Sequence, residues 1–516
     1  MALPVIKEEP GYSRGCEAVS VVKTGEWRFI TPVRVPELSP CKQLCPLGSA
    51  VPEWMEAVKR NDWEGAWQII SKTNPFPALT GYVCFNPCTE KCNRGQVDEV
   101  IDIPGVERAI GRWREENYRP PDKDKAQKGK IAVVGAGPAG LSCAFYLNNA
   151  GYDLTVYEKS AVAGGVPALA IPSYRLPGQA VRREAEMLKR DGIKFIMNAE
   201  LGRDYQLEEL YDEYDRIFLA IGAWLPRRAA IPGEEAEGVW SALEFLESCG
   251  KKPPEEVRDR IIVIGGGNAA VDSARSALRL PGVKEVNLIY RRSREEMPAD
   301  RREVAAAEAE GVNLVFNAAP LEIIVKYGRA AGLTSCYSKS LEGKLVMERG
   351  KIKSMECDAV ITALGHEPDY AALGNLSKAG VVLAGGDLGG GPANVPEAIK
   401  AGRIAAEAII SQLEGLPEPN LKSPGENAVL FENLNLAAPG IAAYRKRQDN
   451  PCSEAERCLG CGSCNSCGIC YTYCPDLAVE KIGGRFEFNL DYCKGCGICA
   501  GECPARALIM EGGRLE

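Results

Sequence analysis

Short apolar runs alternate with amphipathic stretches through the middle of the chain. Residues 131–134, IAVV, are continuously apolar and predict a short buried strand. LSCAFYLNNAG follows and predicts a helix that ends at Gly151. A second strand is expected over 153–157, ending at Glu158. Residues 163–177 are rich in Gly and Pro and predict a loop, 178–191 a helix, and 216–223 a strand. The order strand, glycine turn, helix returns in IIVIGGGNAAVDSARSAL, with a further strand expected over 285–290. DAVITALGHEPD reads as a strand and turn. VVLAGGDLGGGPANVPEAIKAGRIAAEAI reads as a strand, a glycine-rich turn and a helix from near Val395. Upstream, VPEWMEAVKRNDWEGAWQII has the spacing of two short helices. This alternation predicts an α/β fold built on two Rossmann-like units.

The glycines between strand and helix give the pattern its chemistry. Gly135, Gly137 and Gly140 stand in the spacing G-x-G-x-x-G, with Pro138 and Ala139 between them. The first glycine permits the turn, the second lets a pyrophosphate approach the backbone, and the third lets helix and strand pack closely. The helix N-terminus faces the phosphates, and Glu158 stands where a carboxylate holds ribose hydroxyls. In the second unit Gly265, Gly267 and Ala270 take the three positions. There Arg291 and Arg292 follow the second strand in place of an acid, which suits a 2′-phosphate and hence NADP. A solvated basic turn is the plainer alternative. Asp387, after Gly386, is expected to bond a sugar-like hydroxyl chain. Two nucleotide sites in one chain predict hydride exchange between a nicotinamide and a flavin.

Composition changes the picture at the two ends. The chain has 516 residues, 45% hydrophobic and 26% charged, with a formal net charge of −8. The negative balance and the lack of a basic block argue against nucleic-acid binding. The first residues lack an apolar signal core and no run of about 18 apolar residues occurs, so a cytoplasmic chain without a transmembrane helix is expected. Of 21 cysteines, six precede residue 93 and eleven lie between 452 and 503, against a single histidine, His366. Clustered thiols with almost no histidine point to iron–sulfur clusters rather than disulfides or zinc. Cys464-x2-Cys467-x2-Cys470-x3-Cys474-Pro and Cys493-x2-Cys496-x2-Cys499-x3-Cys503-Pro repeat the bacterial two-cluster ferredoxin pattern. Its fourth cysteine ligates the other cluster. One set is therefore Cys464, Cys467, Cys470 and Cys503, and the other Cys493, Cys496, Cys499 and Cys474. Cys452, Cys458 and Cys461 are extra, as free thiols or further ligands. In the N-terminal module Cys41, Cys45, Cys84, Cys88 and Cys92 suffice for one cubane cluster, or else are core cysteines.

The markers CKQLCP, GYVCFNPC, GAGPAGLSCA, YEK, GGVPALAIPSYRLP, GGGNAAVD, YRRSREEMPADRRE and AGGD give the chain a resemblance to the small-subunit family of glutamate synthase over roughly 35–415. The same stretch resembles the NADPH end of dihydropyrimidine dehydrogenase. The C-terminal addition resembles that of stand-alone NAD(P)H:acceptor oxidoreductases. The resemblance implies FAD at Gly135, Gly137, Pro138, Ala139, Gly140, Glu158, Lys159, Gly165, Val166, Arg175 and Leu201. It adds Gly386, Asp387, Asn394 and Val395 near the ribitol and ring. It implies NADPH at Gly265, Gly267, Asn268, Ala269, Ala270, Val271, Arg291, Arg292, Ala363, Leu364 and Gly365. It implies one N-terminal cubane on Cys45, Cys84, Cys88 and Glu107. Relatives with a second N-terminal cluster carry an upstream cysteine pair where this chain has Val33 and Pro36, so that cluster is expected to be missing, with Cys41 and Cys92 its surviving ligands.

The expected organisation is a helical [4Fe–4S] module over 1–125 that ends in a polar linker, an FAD domain over 126–225 and 358–412, and an inserted NADPH domain over 226–357. A linker over 413–450 and a 2[4Fe–4S] ferredoxin domain over 451–516 complete it. The expected activity is transfer of electrons from NADPH through FAD and three [4Fe–4S] clusters to a partner redox enzyme or ferredoxin, or the reverse, within a multi-subunit complex. No side chain is expected to act as a catalytic acid or base. The alternatives are a relay subunit without NADPH turnover and a glutamate synthase small subunit. A thiol–disulfide reductase is disfavoured, because Cys143, Cys249, Cys336 and Cys357 form no closely spaced pair.

Overall fold

Two five-stranded parallel sheets frame residues 119–419, one of the two compact units of the chain; the other joins 1–118 to 420–516. The computed structural model describes residues 25, 28–35, 38–120, 128–252, 254, 257–374, 380–390, 394–418, 427–437, 446–483 and 485–512.

The first sheet has the order Val382–Ala384, Arg216–Leu219, Lys130–Val134, Asp153–Glu158, Lys194–Met197, all parallel. Ile131, Ala132, Val133 and Val134 are buried on both faces, as a central parallel strand requires. The second sheet has the order Asn313–Val315, Val283–Ile289, Asp259–Ile264, Ala359–Thr362, Val239–Ser241. Its strands show the two-residue alternation. Ile261 and Val263 pack against the helices Ala242–Lys251 and Asn268–Leu278. Ile262 and Ile264 face the other way, onto Ile323 and Leu333. These last two belong to an antiparallel meander, Ala318–Lys326, Arg329–Leu341 and Lys344–Glu356, which the sequence reading did not anticipate.

Several expected boundaries move. The strand Ala359–Thr362 pairs with Ile261–Ile264 and with Val239–Ser241, so it completes the second sheet instead of returning to the first. The return comes at Val382–Ala384, beside Ile217–Leu219. An apolar run such as AVIT states that it is buried but not which sheet it joins. The strand expected over 216–223 ends at Leu219, and the 163–177 loop contains one helical turn, Val166–Leu169. The 413–450 stretch is not uniformly a linker. The helix Val395–Glu414 enters it, and Val429 is buried, its N–H donating to the Leu38 carbonyl at 2.8 Å. The rest of that stretch over 419–426 and 438–445, and the polar linker at 121–127, lie outside the described residues.

The two chain ends fold together. Ile30–Arg34 pairs antiparallel with Leu508–Gly512, Val33 opposite Ile509. In the N-terminal module the helices Val51–Lys59, Trp63–Ile70 and Ile103–Glu116 close over Trp54, Met55, Ile70 and Ile110, and Ala455 from the far end of the chain enters that core. A buried ion network fixes the junction. The Arg457 side chain, 0% exposed, pairs with Asp98 at 3.0 Å and Glu454 at 2.7 Å. Arg94 also pairs with Asp98 and donates to the Arg457 carbonyl at 3.2 Å. Among the described residues no helix is long and apolar enough to cross a membrane.

Candidate functional site

The turn after the first central strand is shaped by three glycines with three separate constraints. Gly135 has φ +106°, and a Cβ there would lie 2.3 Å from the Ala220 carbonyl oxygen. A Cβ on Gly140 would lie 1.9 Å from the Gly135 oxygen. Gly137, between them, faces open space, the nearest atom to its Cβ position being Gly165 Cα at 4.0 Å. Gly137 also caps the helix Pro138–Ala150 without a side-chain hydrogen bond, which leaves the first-turn N–H groups to an anion. Glu158 is 5% exposed, and its two carboxylate oxygens accept from Ala136 N at 2.7 Å and Ser160 N at 2.8 Å. It therefore fastens the glycine turn to the end of the next strand, and each oxygen keeps a lone pair for a ribose hydroxyl. Gly165, at φ +59°, closes the cradle: a Cβ there would lie 2.9 Å from Gly137 Cα. Val166 begins the helical turn that follows, and the Lys159 ammonium sits 4.5 Å from the Trp224 ring. Leu201 is buried among Leu207, Leu219 and Tyr211.

The late return of the chain meets the same cradle. A Cβ on Gly386 would lie 3.0 Å from Ala139 Cβ, and one on Gly402 would lie 2.0 Å from the Ala139 oxygen. Asp387 is half-buried, which raises its pKa. Asn394 caps the helix Val395–Glu414, its side-chain oxygen accepting from Glu397 N at 3.0 Å. Arg175 is placed differently from the rest of the FAD set. It pairs with Asp272 at 2.6 Å and approaches Glu303 at 3.6 Å, both on the second nucleotide-binding half.

The second glycine turn repeats the design. Gly265 has φ +152°, and a Cβ there would lie 2.4 Å from the Ala363 oxygen. Gly267 caps Asn268–Leu278 without a side-chain bond and has no atom within 4 Å of its Cβ position. Ala269 and Val271 lie in the first turn; Ala270 is fully buried, which is why alanine serves there. Asn268 accepts from Asp300 N at 2.9 Å and ties down the loop that carries the arginines. Arg291 is exposed, whereas Arg292 Nε is buried without a hydrogen-bond partner, a donor awaiting an acceptor. Ala363, Leu364 and Gly365 leave the neighbouring strand end, and the Gly365 carbonyl accepts from Arg227 N at 3.0 Å.

In the other unit the cysteines gather in groups. Cys464, Cys467, Cys470 and Cys503 line one cavity with Ile469, Phe486 and Leu508. Cys474, Cys493, Cys496 and Cys499 line a second with Val479, Ile498 and Met510. Backbone N–H groups of Ala507 and Ala478 donate to the Cys503 and Cys474 sulfurs at 3.2 and 3.3 Å, bonds of the kind that set a cluster's potential. Cys88 is buried, and its pKa is raised first by that burial and then by Cys45, Glu107, Cys84 and Cys92. Glu107, on the helix Ile103–Glu116, is pushed up to about 7 by burial, while hydrogen bonds from Thr80 and Asn74 hold it down. Those bonds reach Oε1 at 3.1 and 2.7 Å. Cys41, Cys92, Cys458 and Cys461 line a third cavity, a grouping that sequence spacing could not reveal because its halves stand at least 366 positions apart. Cys452 is not part of that lining; its sulfur lies 3.9 Å from Asn61 Oδ1. Among the described residues no group of His, Cys, Asp or Glu is set to hold a single metal ion. Thiolates on the corners of a four-iron cubane stand wider apart than ligands of one ion.

Residues 129–408 match the family described as pyridine nucleotide-disulphide oxidoreductase. Residues 37–119 match dihydropyrimidine dehydrogenase domain II, 4Fe-4S cluster, and 486–509 a 4Fe-4S binding domain. The chain is 36% identical over 348 residues to the NADPH-Fe(3+) oxidoreductase subunit beta of Geobacter sulfurreducens, a match covering 64% of this chain and 52% of the other. It is 31% identical over 498 residues to the NADP(+)-dependent formate dehydrogenase subunit beta of Moorella thermoacetica, covering 82% and 70%. It is 32% identical over 420 residues to the glutamate synthase [NADPH] small chain of Escherichia coli, covering 72% and 88%. The chain thus spans about half the length of the Geobacter relative.

Proposed function

The chain belongs to the pyridine nucleotide-disulphide oxidoreductase family, and from that premise we propose that it oxidises NADPH and delivers the electrons, by way of FAD and iron–sulfur clusters, to a partner redox protein, or runs the reverse. The observation that carries the reading is the pair of uncapped, glycine-cradled helix N-termini in one unit, the first followed by Glu158 and the second by Arg291 and Arg292. FAD, when bound, supplies the exchange between a two-electron donor and one-electron carriers. The residues of this chain bind and orient. Gly135, Gly137 and Gly140 admit a pyrophosphate to the backbone, and Glu158 holds the turn rigid while accepting ribose hydroxyls. Arg292 offers a desolvated donor to a 2′-phosphate, and Arg291 adds charge at the rim.

Cys464, Cys467, Cys470 and Cys503 would hold one [4Fe–4S] cluster, Cys474, Cys493, Cys496 and Cys499 a second, and Cys45, Cys84, Cys88 and Glu107 a third. The four-cysteine, mainly apolar linings of the first two sets fit such clusters. The relatives' names, subunit beta and small chain, support a place in a multi-subunit assembly. The clustering of cysteines in spacings that suit iron–sulfur ligation supports a cytoplasmic site. A thiol–disulfide reductase is disfavoured because Cys143, Cys249 and Cys336 stand on three separate elements and Cys357 lies in the link between two strands.

The coenzyme test is direct. A charge-assisted contact contributes about 1.5–3 kcal/mol, roughly 10- to 100-fold in affinity. The Arg291→Ala, Arg292→Ala variant should lose that factor in kcat/KM for NADPH while its value for NADH stays level. Equal kcat/KM for the two coenzymes in the unaltered chain would refute the assignment.

A further inference from the structure

Four thiols that no repeat in the sequence accounts for meet in one cavity of the fold. We propose that Cys41, Cys92, Cys458 and Cys461 ligate a further [4Fe–4S] cluster, two thiolates coming from the N-terminal module and two from the segment that leads into the ferredoxin-like repeat. The proposal rests on the reading of this unit as an iron–sulfur carrier.

The cavities of the two ferredoxin sets enclose ≈ 380 and ≈ 340 Å³ counting their open mouths, and the third encloses ≈ 370 Å³. Each is lined by four cysteines and otherwise mainly by apolar side chains; here those are Val51, Met55, Ile101, Ile103 and Leu459. All four cysteines open on this one cavity. Four such groups around a void make a poor inert core, because interiors otherwise fill to close packing.

Arg457, next to Cys458, is locked by its buried pairs to Asp98 and Glu454, and Glu454 also accepts from Asp102 N at 2.8 Å. Asn93 Nδ2 donates to Cys461 Sγ at 3.5 Å and to the Val429 carbonyl at 3.1 Å. That fixes the Cys458-x2-Cys461 pair against the helix ends carrying Cys41 and Cys92, and it directs a donor at one sulfur, as cluster sites do. The ligand set left incomplete by Val33 and Pro36 is thus completed in space from the other end of the chain. Transfer of a preassembled cluster from a carrier breaks four iron–ligand bonds there and forms four iron–thiolate bonds here; the four thiol protons pass to the departing ligands or to solvent, with no net electron exchange.

The test counts iron, labile sulfide and zinc in the full chain purified without oxygen, by chemical assay and native mass spectrometry. The expected content is about 16 irons, four above the three sets named under the proposed function. The Cys458→Ser, Cys461→Ser variant should drop by about four irons and lose one reduced-cluster paramagnetic signal, with flavin content unchanged. Cys452→Ser should lose none. About 12 irons in the unaltered chain overturns the fourth site and leaves the general reading standing, as does one zinc beside about 12 irons. Should the double variant not fold, the mass of the unaltered chain still decides. Few or no irons in the unaltered chain, with Cys464→Ser also without effect, would instead sink the iron–sulfur reading as a whole.

Discussion

Glu158 serves two masters at the residue scale. Its oxygens hold Ala136 N and Ser160 N, so the acid is structural before any nucleotide arrives. Glu158→Ala should therefore do more than remove a ribose contact. The buried Ala136 donor would lose its acceptor at a cost of about 1–3 kcal/mol, and the half-buried Ser160 donor would lose its own at less. We expect flavin content after purification to fall steeply, iron content to hold, and the flavin released from the unaltered chain to be FAD. Recovery of FMN alone, or full flavin in the variant, would contradict this. The acid itself was legible from strand, glycine motif, strand and acid in register. Its bond to Ala136 was not, because that depends on the parallel pairing of 130–134 with 153–157 in space. The Arg175–Asp272 pair was hidden for the same reason: nothing local announces Asp272 as its partner.

At the scale of elements, the flavin half depends on two helices in backbone contact. Gly402 of Val395–Glu414 sits against the Ala139 carbonyl of Pro138–Ala150, and Ser142 Oγ donates to the Ile399 carbonyl at 2.8 Å. A side chain at 402 would wedge the two helices apart and displace the first turn of Pro138–Ala150, whose N–H groups are proposed to face a phosphate. Gly402→Val should cost about 3 kcal/mol or more, since the obstacle is backbone and cannot rotate aside. Gly178→Ala, at an exposed helix start with nothing within 4 Å, should be neutral or gain about 0.5 kcal/mol. Thermal unfolding followed by flavin release distinguishes them, and equal midpoints would refute the contact. The helices themselves were readable from periodicity. The assignment of AVIT to the second sheet was not, since a run buried on both faces carries no mark of its neighbours.

On the scale of the whole molecule, the iron–sulfur unit is closed by both chain ends. The strand pairing of 30–34 with 508–512 and the Arg457 network join them. Removing one partner of a buried ion pair costs about 3–5 kcal/mol. Arg457→Ala should therefore lower the unfolding temperature of this unit and speed iron loss, while flavin retention by 119–419 is unchanged; equal iron retention would contradict the network's role. Truncation after Leu421 should accordingly cost more iron than the ferredoxin cysteines alone hold. The sequence showed two separate cysteine clusters and suggested two separate modules, because co-folding of distant ends leaves no local trace beyond the unexplained Cys458-x2-Cys461.

The central claim is that this chain takes electrons from NADPH through its own flavin. Anaerobic mixing of the purified full chain with NADPH, following flavin absorbance and cluster paramagnetism together, tests it most directly. The account expects the flavin band to bleach within turnover times, cluster signals to follow, and NADH to be slower by roughly tenfold or more. A flavin that dithionite bleaches but NADPH leaves oxidised would contradict it and make the chain a relay without NADPH turnover.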